Sequence, residues 1–218
     1  MELNTGTVTL SYEKTGTGNP VILLHGNGED HGIFDRTAAL LAERFTVYAL
    51  DSRGHGKSSP VREYHYEDMA EDVFQFIVRL GLKTPAVYGF SDGGIVGLLL
   101  AVHHKHLLSR LVVSGANADP RGLKGSVRLS MALGYLFSRS PKVKMMLHEP
   151  HITREMLRSI CTETVITAGE FDMVTQKHTE YLHDNIPGST LKIFKKETHG
   201  SYIVHSEKIA SYLLEVLE

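Results

Sequence analysis

The reading begins at Val87-Tyr88-Gly89-Phe90-Ser91-Asp92-Gly93-Gly94 and the apolar residues that continue from it to His103. A short apolar run enters this segment, and a stretch apolar almost all round leaves it, so Ser91 occupies a strand-to-helix turn. A serine in a G-x-S-x-G turn of this kind sits on a strained backbone with its hydroxyl exposed at the end of a sheet. Gly89 and Gly93 lie two residues to either side, where a missing side chain lets strand and helix approach closely. Ser91 is therefore a candidate nucleophile.

Working outward, the same rhythm recurs on both sides. Val21-Ile22-Leu23-Leu24 ends at His25-Gly26, Val47-Tyr48-Ala49-Leu50 at Asp51, and Leu111-Val112-Val113 at Ser114-Gly115. Val165-Ile166-Thr167-Ala168 ends at Gly169, and Leu191-Lys192-Ile193-Phe194 precedes His199. Apolar runs without alternation suit strands covered on both faces. Helical patterns separate them. Over Tyr66 to Leu80, Met69, Ala70, Val73, Phe76, Ile77 and Leu80 form one stripe that Gly81 ends. Thr175–Asn185 and Tyr202–Leu217 are two further helical stretches, while Thr7–Tyr12 alternates as an antiparallel edge strand. Alternating strands and helices predict an α/β fold with a mostly parallel twisted sheet and helices on both faces.

One segment breaks the rhythm. From Asn117 to Ile160 no strand is expected, and Gly122, Gly125, Gly134, Pro141 and Pro150 cut short helical pieces apart. It holds eight Lys and Arg against three Asp and Glu, whereas the rest of the chain holds fifteen against twenty-two. Residues 117–160 thus read as a reduced helical cap inserted late into a core of 1–116 and 161–218. Met131, Leu133, Leu136 and Phe137 are candidates to face down onto a substrate or to pack onto the core.

Composition excludes several classes. With 23 Lys and Arg against 25 Asp and Glu, the chain lacks the basic footprint of a nucleic-acid binder. At 218 residues it needs no disulfide or metal to complete a core, and the one cysteine, Cys161, has no internal partner. The first residues lack the charged and then apolar pattern of a signal peptide, and runs such as Leu98–Val102 fall short of the ~20 residues that span a bilayer. A cytoplasmic protein without a membrane span is expected. Gly56-Lys57-Ser58 lacks the earlier glycine of a phosphate loop, and Gly26 and Gly28 lack the third glycine of a dinucleotide site. His148 and His151 read as surface rather than zinc ligands, so no cofactor and no metal are expected.

Five motifs occur in order: His25-Gly26-Asn27-Gly28, Asp51-Ser52-Arg53-Gly54-His55-Gly56-Lys57-Ser58, the Ser91 turn, Gly169-Glu170-Phe171-Asp172 and His199-Gly200. Together they resemble the α/β-hydrolase superfamily of serine hydrolases. Ser91-Asp92-Gly93-Gly94 followed by Gly115-Ala116-Asn117-Ala118 is similar to its biphenyl-hydrolase-like and valacyclovir-hydrolase-like branch. Phe90 stands where many relatives carry His, and the cap is shorter than usual. The resemblance implies a nucleophile Ser91, a base His199 after the last strand, and an acid at Asp172, with Asp119 as the alternative. It implies backbone N–H donors at Asn27 and Asp92 for an oxyanion hole, and a structural turn around His55. His25 suits a backbone contact, and His103, His104 and His106 a helix end at the surface.

These residues point to a cofactor-free serine hydrolase that cleaves a small ester or related acyl compound through an acyl-enzyme. C–C bond hydrolysis, aminopeptidase-like or haloperoxidase-like chemistry would use the same triad, and a ligand-binding protein with negligible turnover would keep it. Asn27 and Asp92 are also candidate substrate contacts. The Asp92 carboxylate either caps the helix start or pairs with a substrate ammonium.

Overall fold

The computed structural model describes residues 1–217. Its first half forms β1 (Glu2–Asn4), β2 (Thr9–Thr15), β3 (Asn19–Leu24), α1 (Asp35–Leu41), β4 (Phe45–Leu50), α2 (Tyr66–Arg79), β5 (Ala86–Phe90), α3 (Asp92–His103) and β6 (Arg110–Ser114). Then come α4 (Gly125–Ser138), α5 (Pro141–His148) and α6 (Arg154–Arg158), followed by β7 (Thr164–Phe171), α7 (Gln176–Asn185), β8 (Thr190–Thr198) and α8 (Glu207–Leu217). The strands make one sheet in the order β1-β2-β4-β3-β5-β6-β7-β8. β1 pairs β2, and β2 pairs β4, antiparallel; every pairing from β4 to β8 is parallel.

The apolar runs lack alternation because both sheet faces are covered. On β3, Val21 and Leu23 pack with Phe34 and Leu41 beside α1 and with Ile209 and Leu213 of α8. Ile22 and Leu24 point the other way, into a cluster with α2, α3, Leu157 of α6 and Leu182 of α7. Helix α3, sandwiched between α2 and the sheet, is buried from Asp92 to Ala101. After β3 the chain moves outward to β4, then crosses β3 to add β5 on the other side. At such a reversal the carboxyl ends of neighbouring strands diverge and leave a crevice. The His25–Gly28 loop leaves β3 there, and the Ser91 turn leaves β5.

Some elements differ from the sequence reading. The expected edge strand is second in the sheet, because Glu2–Asn4 pairs outside it. Residues 201–205 form turns, and α8 begins only at Glu207. His103 and His106 are exposed as expected, but His104 is half-buried, its ring stacked 3.7 Å from that of Phe74. Between β6 and β7 lie α4, α5 and α6, and α4 turns the candidate substrate-facing residues outward. Leu133, Leu136 and Phe137 are exposed, and only Met131 is half-buried. Among the described residues no helix is long and apolar enough to cross a membrane.

The glycine-rich loop after β4 braces the crevice from below. Gly56 adopts φ +49°, and a Cβ there would lie 2.2 Å from the Asp51 carboxylate. Asp51 accepts from the backbone N–H groups of His31 and Lys57, each at 2.9 Å. Arg53 grips the buried Asp72 through Nε at 2.6 Å and NH2 at 2.8 Å. His25 Nε2 accepts from the Ser52 N–H at 3.0 Å, which ties this loop to the one after β3. His55 lies edge-on to His25 at 5.1 Å and directs Nδ1 to the Arg53 carbonyl. Its Nε2 is buried with no partner among the described residues.

Burial pushes the His25 imidazole down and takes His55 to about 4. An unfolded His titrates near ~6.5, so below that pH the unfolded chain takes up a proton that native His55 refuses. Stability present at pH 7 therefore falls as the pH drops from about 6.5 toward 4, by up to about 3 kcal/mol from His55. The variant His55→Asn keeps a donor for the Arg53 carbonyl and removes this titration. Urea unfolding at pH 7 and pH 5 should show a smaller acid-induced loss in the variant than in the wild type. Equal losses would place the acid sensitivity elsewhere.

Candidate active site

Ser91 closes the turn between β5 and α3 at φ +53° and ψ −114°, a conformation rare for a residue with a side chain. Close backbone packing holds it there. A Cβ on Gly89 would lie 2.2 Å from the Gly93 carbonyl oxygen, and one on Gly93 would lie 2.1 Å from that of Leu24. The Ser91 N–H donates to Ser114 O at 2.8 Å, and Gly94 and Ile95 donate to Ser91 O. The hydroxyl makes no cap to its own helix. It faces His199 Nε2 at 3.0 Å instead.

His199 follows β8, and Asp172 follows β7. His199 Nδ1 lies 2.6 Å from Asp172 Oδ1, an arrangement in which Nδ1 carries the proton and Nε2 accepts from the serine. Asp172 is buried and also accepts from the N–H groups of Val174 at 3.0 Å and Gly169 at 3.2 Å. Burial alone would raise its carboxyl, but the His199 hydrogen bond and charge, with those two N–H groups, hold it below its ordinary value. Asp119 is turned elsewhere: it caps the 3-10 turn at Pro120–Gly122 and pairs with Arg121 Nε at 2.9 Å. The structure thus brings Asp172, and not Asp119, to His199.

Two groups around the imidazole, Gly115 and Phe90, were noted in the sequence without their place beside it. Gly115, at φ +61°, leaves the space His199 occupies, since a Cβ there would lie 2.7 Å from Cε1. The only sequence signal was its glycine at a strand end. Phe90 packs its ring 4.9 Å from that of His199 and so supports the base.

Above Ser91, the loop after β3 turns at Gly26, whose Cβ would lie 3.1 Å from that of Ser91. Glu29 caps this turn by accepting from the Gly26 N–H at 2.9 Å, and burial raises its carboxyl. Glu29 was missed; its spacing of three from Gly26 was the available clue. Among the described residues, the N–H groups of Asn27 and Asp92 are committed to no protein acceptor.

The side chains of those two residues meet each other. Asn27 Nδ2 donates to Asp92 Oδ2 at 2.9 Å, and Tyr66 OH donates to Asp92 Oδ1 at 2.8 Å. Asp92 is 2% exposed, and burial raises its carboxyl despite both hydrogen bonds. The Asp92 carboxylate, read as a helix cap or as a partner for a substrate ammonium, has each of its oxygens bonded to a donor of the protein. Its observed contacts tie the β3 loop to the first turns of α2 and α3.

Among the described residues a metal-like grouping exists only away from Ser91. Asp30, His31 and Asp51 bring ligand atoms within 4.8 Å of one another. Asp51 there already accepts from two backbone N–H groups and lies 2.7 Å from His31 Nδ1, so the group braces a loop. His148 and His151 form no ligand cluster among the described residues, and His148 Nδ1 bonds the Lys144 carbonyl.

Comparison with known proteins agrees with this architecture. Residues 19–135 match the model of the alpha/beta hydrolase fold family. The human protein Serine hydrolase BPHL is 30% identical over 230 residues, covering 90% of this chain and 78% of its own length. The esterase EaEST from Exiguobacterium antarcticum superposes with a TM-score of 0.84 at 24% identity, covering 95% of each chain. The enol-lactonase from Burkholderia xenovorans LB400 does so with a TM-score of 0.82 at 18% identity, covering 100% of this chain and 99% of its own. A sheet reversal at β3 and β5, a strained serine turn at that reversal and a matching family model converge on one conclusion: this chain belongs to the α/β-hydrolase fold family.

Proposed function

We propose that the protein is a cofactor-free serine hydrolase that cleaves small esters through an acyl-enzyme. The observation that carries this reading is the continuous relay from Ser91 Oγ through His199 to Asp172 beside two uncommitted N–H groups. In this mechanism Ser91 Oγ attacks the ester carbonyl carbon as its proton passes to His199 Nε2. Asp172 holds the imidazole in the tautomer that can accept that proton and stabilises the cation that results. The carbonyl oxygen becomes an oxyanion that takes hydrogen bonds from the N–H groups of Asn27 and Asp92. Each such donor is typically worth about 3 kcal/mol of barrier. The tetrahedral species collapses, the C–O bond to the alcohol breaks, and His199 Nε2 protonates the departing oxygen. Water then attacks the acyl-enzyme by the same route, with His199 as base, and frees the acid and Ser91. An esterase and an enol-lactonase share this fold, as does a meta-cleavage product hydrolase, and the ester is the bond this reading assigns. Residues 117–160 serve as a reduced cap beside the site.

The side chains of Asn27 and Asp92 act in this scheme as positioning groups. Their hydrogen bond fixes the separation of the two oxyanion donors, one on the loop after β3 and the other at the first residue of α3.

Three expected outcomes test the reading. A fluorophosphonate probe should label the wild type at Ser91, shown by peptide mass, and Ser91→Ala should lose both labelling and ester turnover while keeping its circular dichroism. Labelling at another residue would overturn the nucleophile. Asp172→Asn should lower kcat on the order of ten-thousandfold, because the imidazole loses its tautomer control. Asp119→Asn should stay near wild type, and the opposite ranking would relocate the acid. Asn27→Ala keeps its own backbone N–H but releases the loop, so kcat should fall about tenfold while KM changes little. A change confined to KM would instead make Asn27 a ground-state substrate contact.

A further inference from the structure

Helix α4 is the one long helix that contributes no buried residue to the core among the described residues. Its inner side, Val127, Met131 and Tyr135, is half-buried. Its outer side carries Leu129, Leu133, Leu136 and Phe137, spaced i, i+4, i+7 and i+8, so they form one stripe along a helix about 21 Å long. All four are exposed, Phe137 by 88%. A stripe of this kind on the surface marks an interaction site.

The charges around it define the partner. Residues 120–148 contain six Lys and Arg and no Asp or Glu. Arg121 is neutralised by Asp119, and Lys142 turns inward over the Tyr64 ring. Lys124, Arg128, Arg139 and Lys144 are exposed and have no carboxylate partner among the described residues. Lys124 stands just before the first residue of α4 and Arg139 just after the last, and Arg128 borders the stripe. Long cationic side chains at those places can lie along an apolar boundary while their charged heads stay in an anionic layer.

A second copy of the chain fits this surface poorly. Face-to-face pairing of α4 would bring together two cationic patches that lack acids. The other exposed large apolar residues, Met1, Val78 and Phe171, are scattered over three separate elements and offer no matching patch. An anionic lipid surface satisfies both halves of the pattern, apolar stripe and cationic border.

We propose that α4 docks the protein onto anionic membrane surfaces, with Leu129, Leu133, Leu136 and Phe137 entering the acyl boundary and Lys124, Arg128 and Arg139 contacting lipid headgroups. The inference is independent of the proposed chemistry, since none of these residues belongs to the Ser91 site. The anchoring is reversible and sensitive to salt, because part of it is screened electrostatics.

The test is flotation of the full chain with vesicles of phosphatidylcholine alone and of phosphatidylcholine with one-third phosphatidylglycerol. The wild type should float with the anionic vesicles, remain behind with the zwitterionic ones, and be released by high salt. Leu133→Ser with Phe137→Ser should abolish flotation, and Arg128→Gln with Arg139→Gln should weaken it about fivefold per charge removed. Unchanged melting temperatures would show that these variants are folded, and the two pairs act on different halves of the surface, so loss of one fold leaves the other as a test. Equal flotation with both vesicle types, or none with either, would overturn the proposal. So would a concentration-dependent dimer that Phe137→Ser dissolves while vesicles are ignored, since that would make a second copy the occupant.

Discussion

The architecture hangs on a single strained residue. Ser91 holds a positive φ that its side chain disfavours, and it does so because backbone is pressed on backbone around it. Gly93 lies against the carbonyl of Leu24 and Gly89 against that of Gly93, so β3, β5 and α3 meet with no side chain between them. The strain is thus borne by the sheet reversal itself. The same compression brings the loop after β3 over Ser91, and the uncommitted N–H groups of Asn27 and Asp92 are a by-product of the packing that holds the elbow.

Around that point the protein places charge sparingly. Asp172 is buried but surrounded by donors, which keeps it ionised beside an imidazole that needs an anionic neighbour. Asp92 is buried with only two donors, Asn27 and Tyr66, and its carboxyl is raised. Two carboxylates close to one serine therefore behave differently because of the number and kind of donors each meets. Tyr66 extends the second network: its OH holds Asp92, and its backbone N–H donates to Glu149, which directly follows α5. Glu149 also contacts His65 at 2.6 Å. The start of α2 thereby links the end of α5 to the residue beside Ser91.

Much of this was legible in the chain, for identifiable reasons. The parallel strands were readable because doubly covered strands are continuously apolar, as at Val21–Leu24 and Val165–Ala168. Ser91 was readable because it follows such a run directly, whereas Asp172 and His199, separated from theirs by three and four residues, came from the family resemblance. Glu2–Asn4 was not, because a three-residue strand half in water carries no period. The orientation of α4 was hidden because it is apolar on two sides, and sequence alone does not say which side the core takes. The fate of the Asp92 carboxylate depended on Tyr66 and Asn27, residues 26 and 65 positions away, and no local pattern records such a meeting. Gly115 was visible as a glycine, but the imidazole filling its empty space comes from another strand end.

The relay also has a consequence for how the molecule is made. Ser91 and His199 are separated by 108 positions and Asp172 and His199 by 27, and each is carried by a different strand end. Their distances are set only when β5, β6, β7 and β8 have all joined in register. Contacts so distant along the chain form late, because the intervening loops must first be closed against their entropy. A nascent chain still short of β8 lacks His199, and so leaves the Ser91 hydroxyl and the Asp172 carboxylate without the imidazole that joins them. The arrangement of the three side chains is thereby withheld until the final strand is laid down.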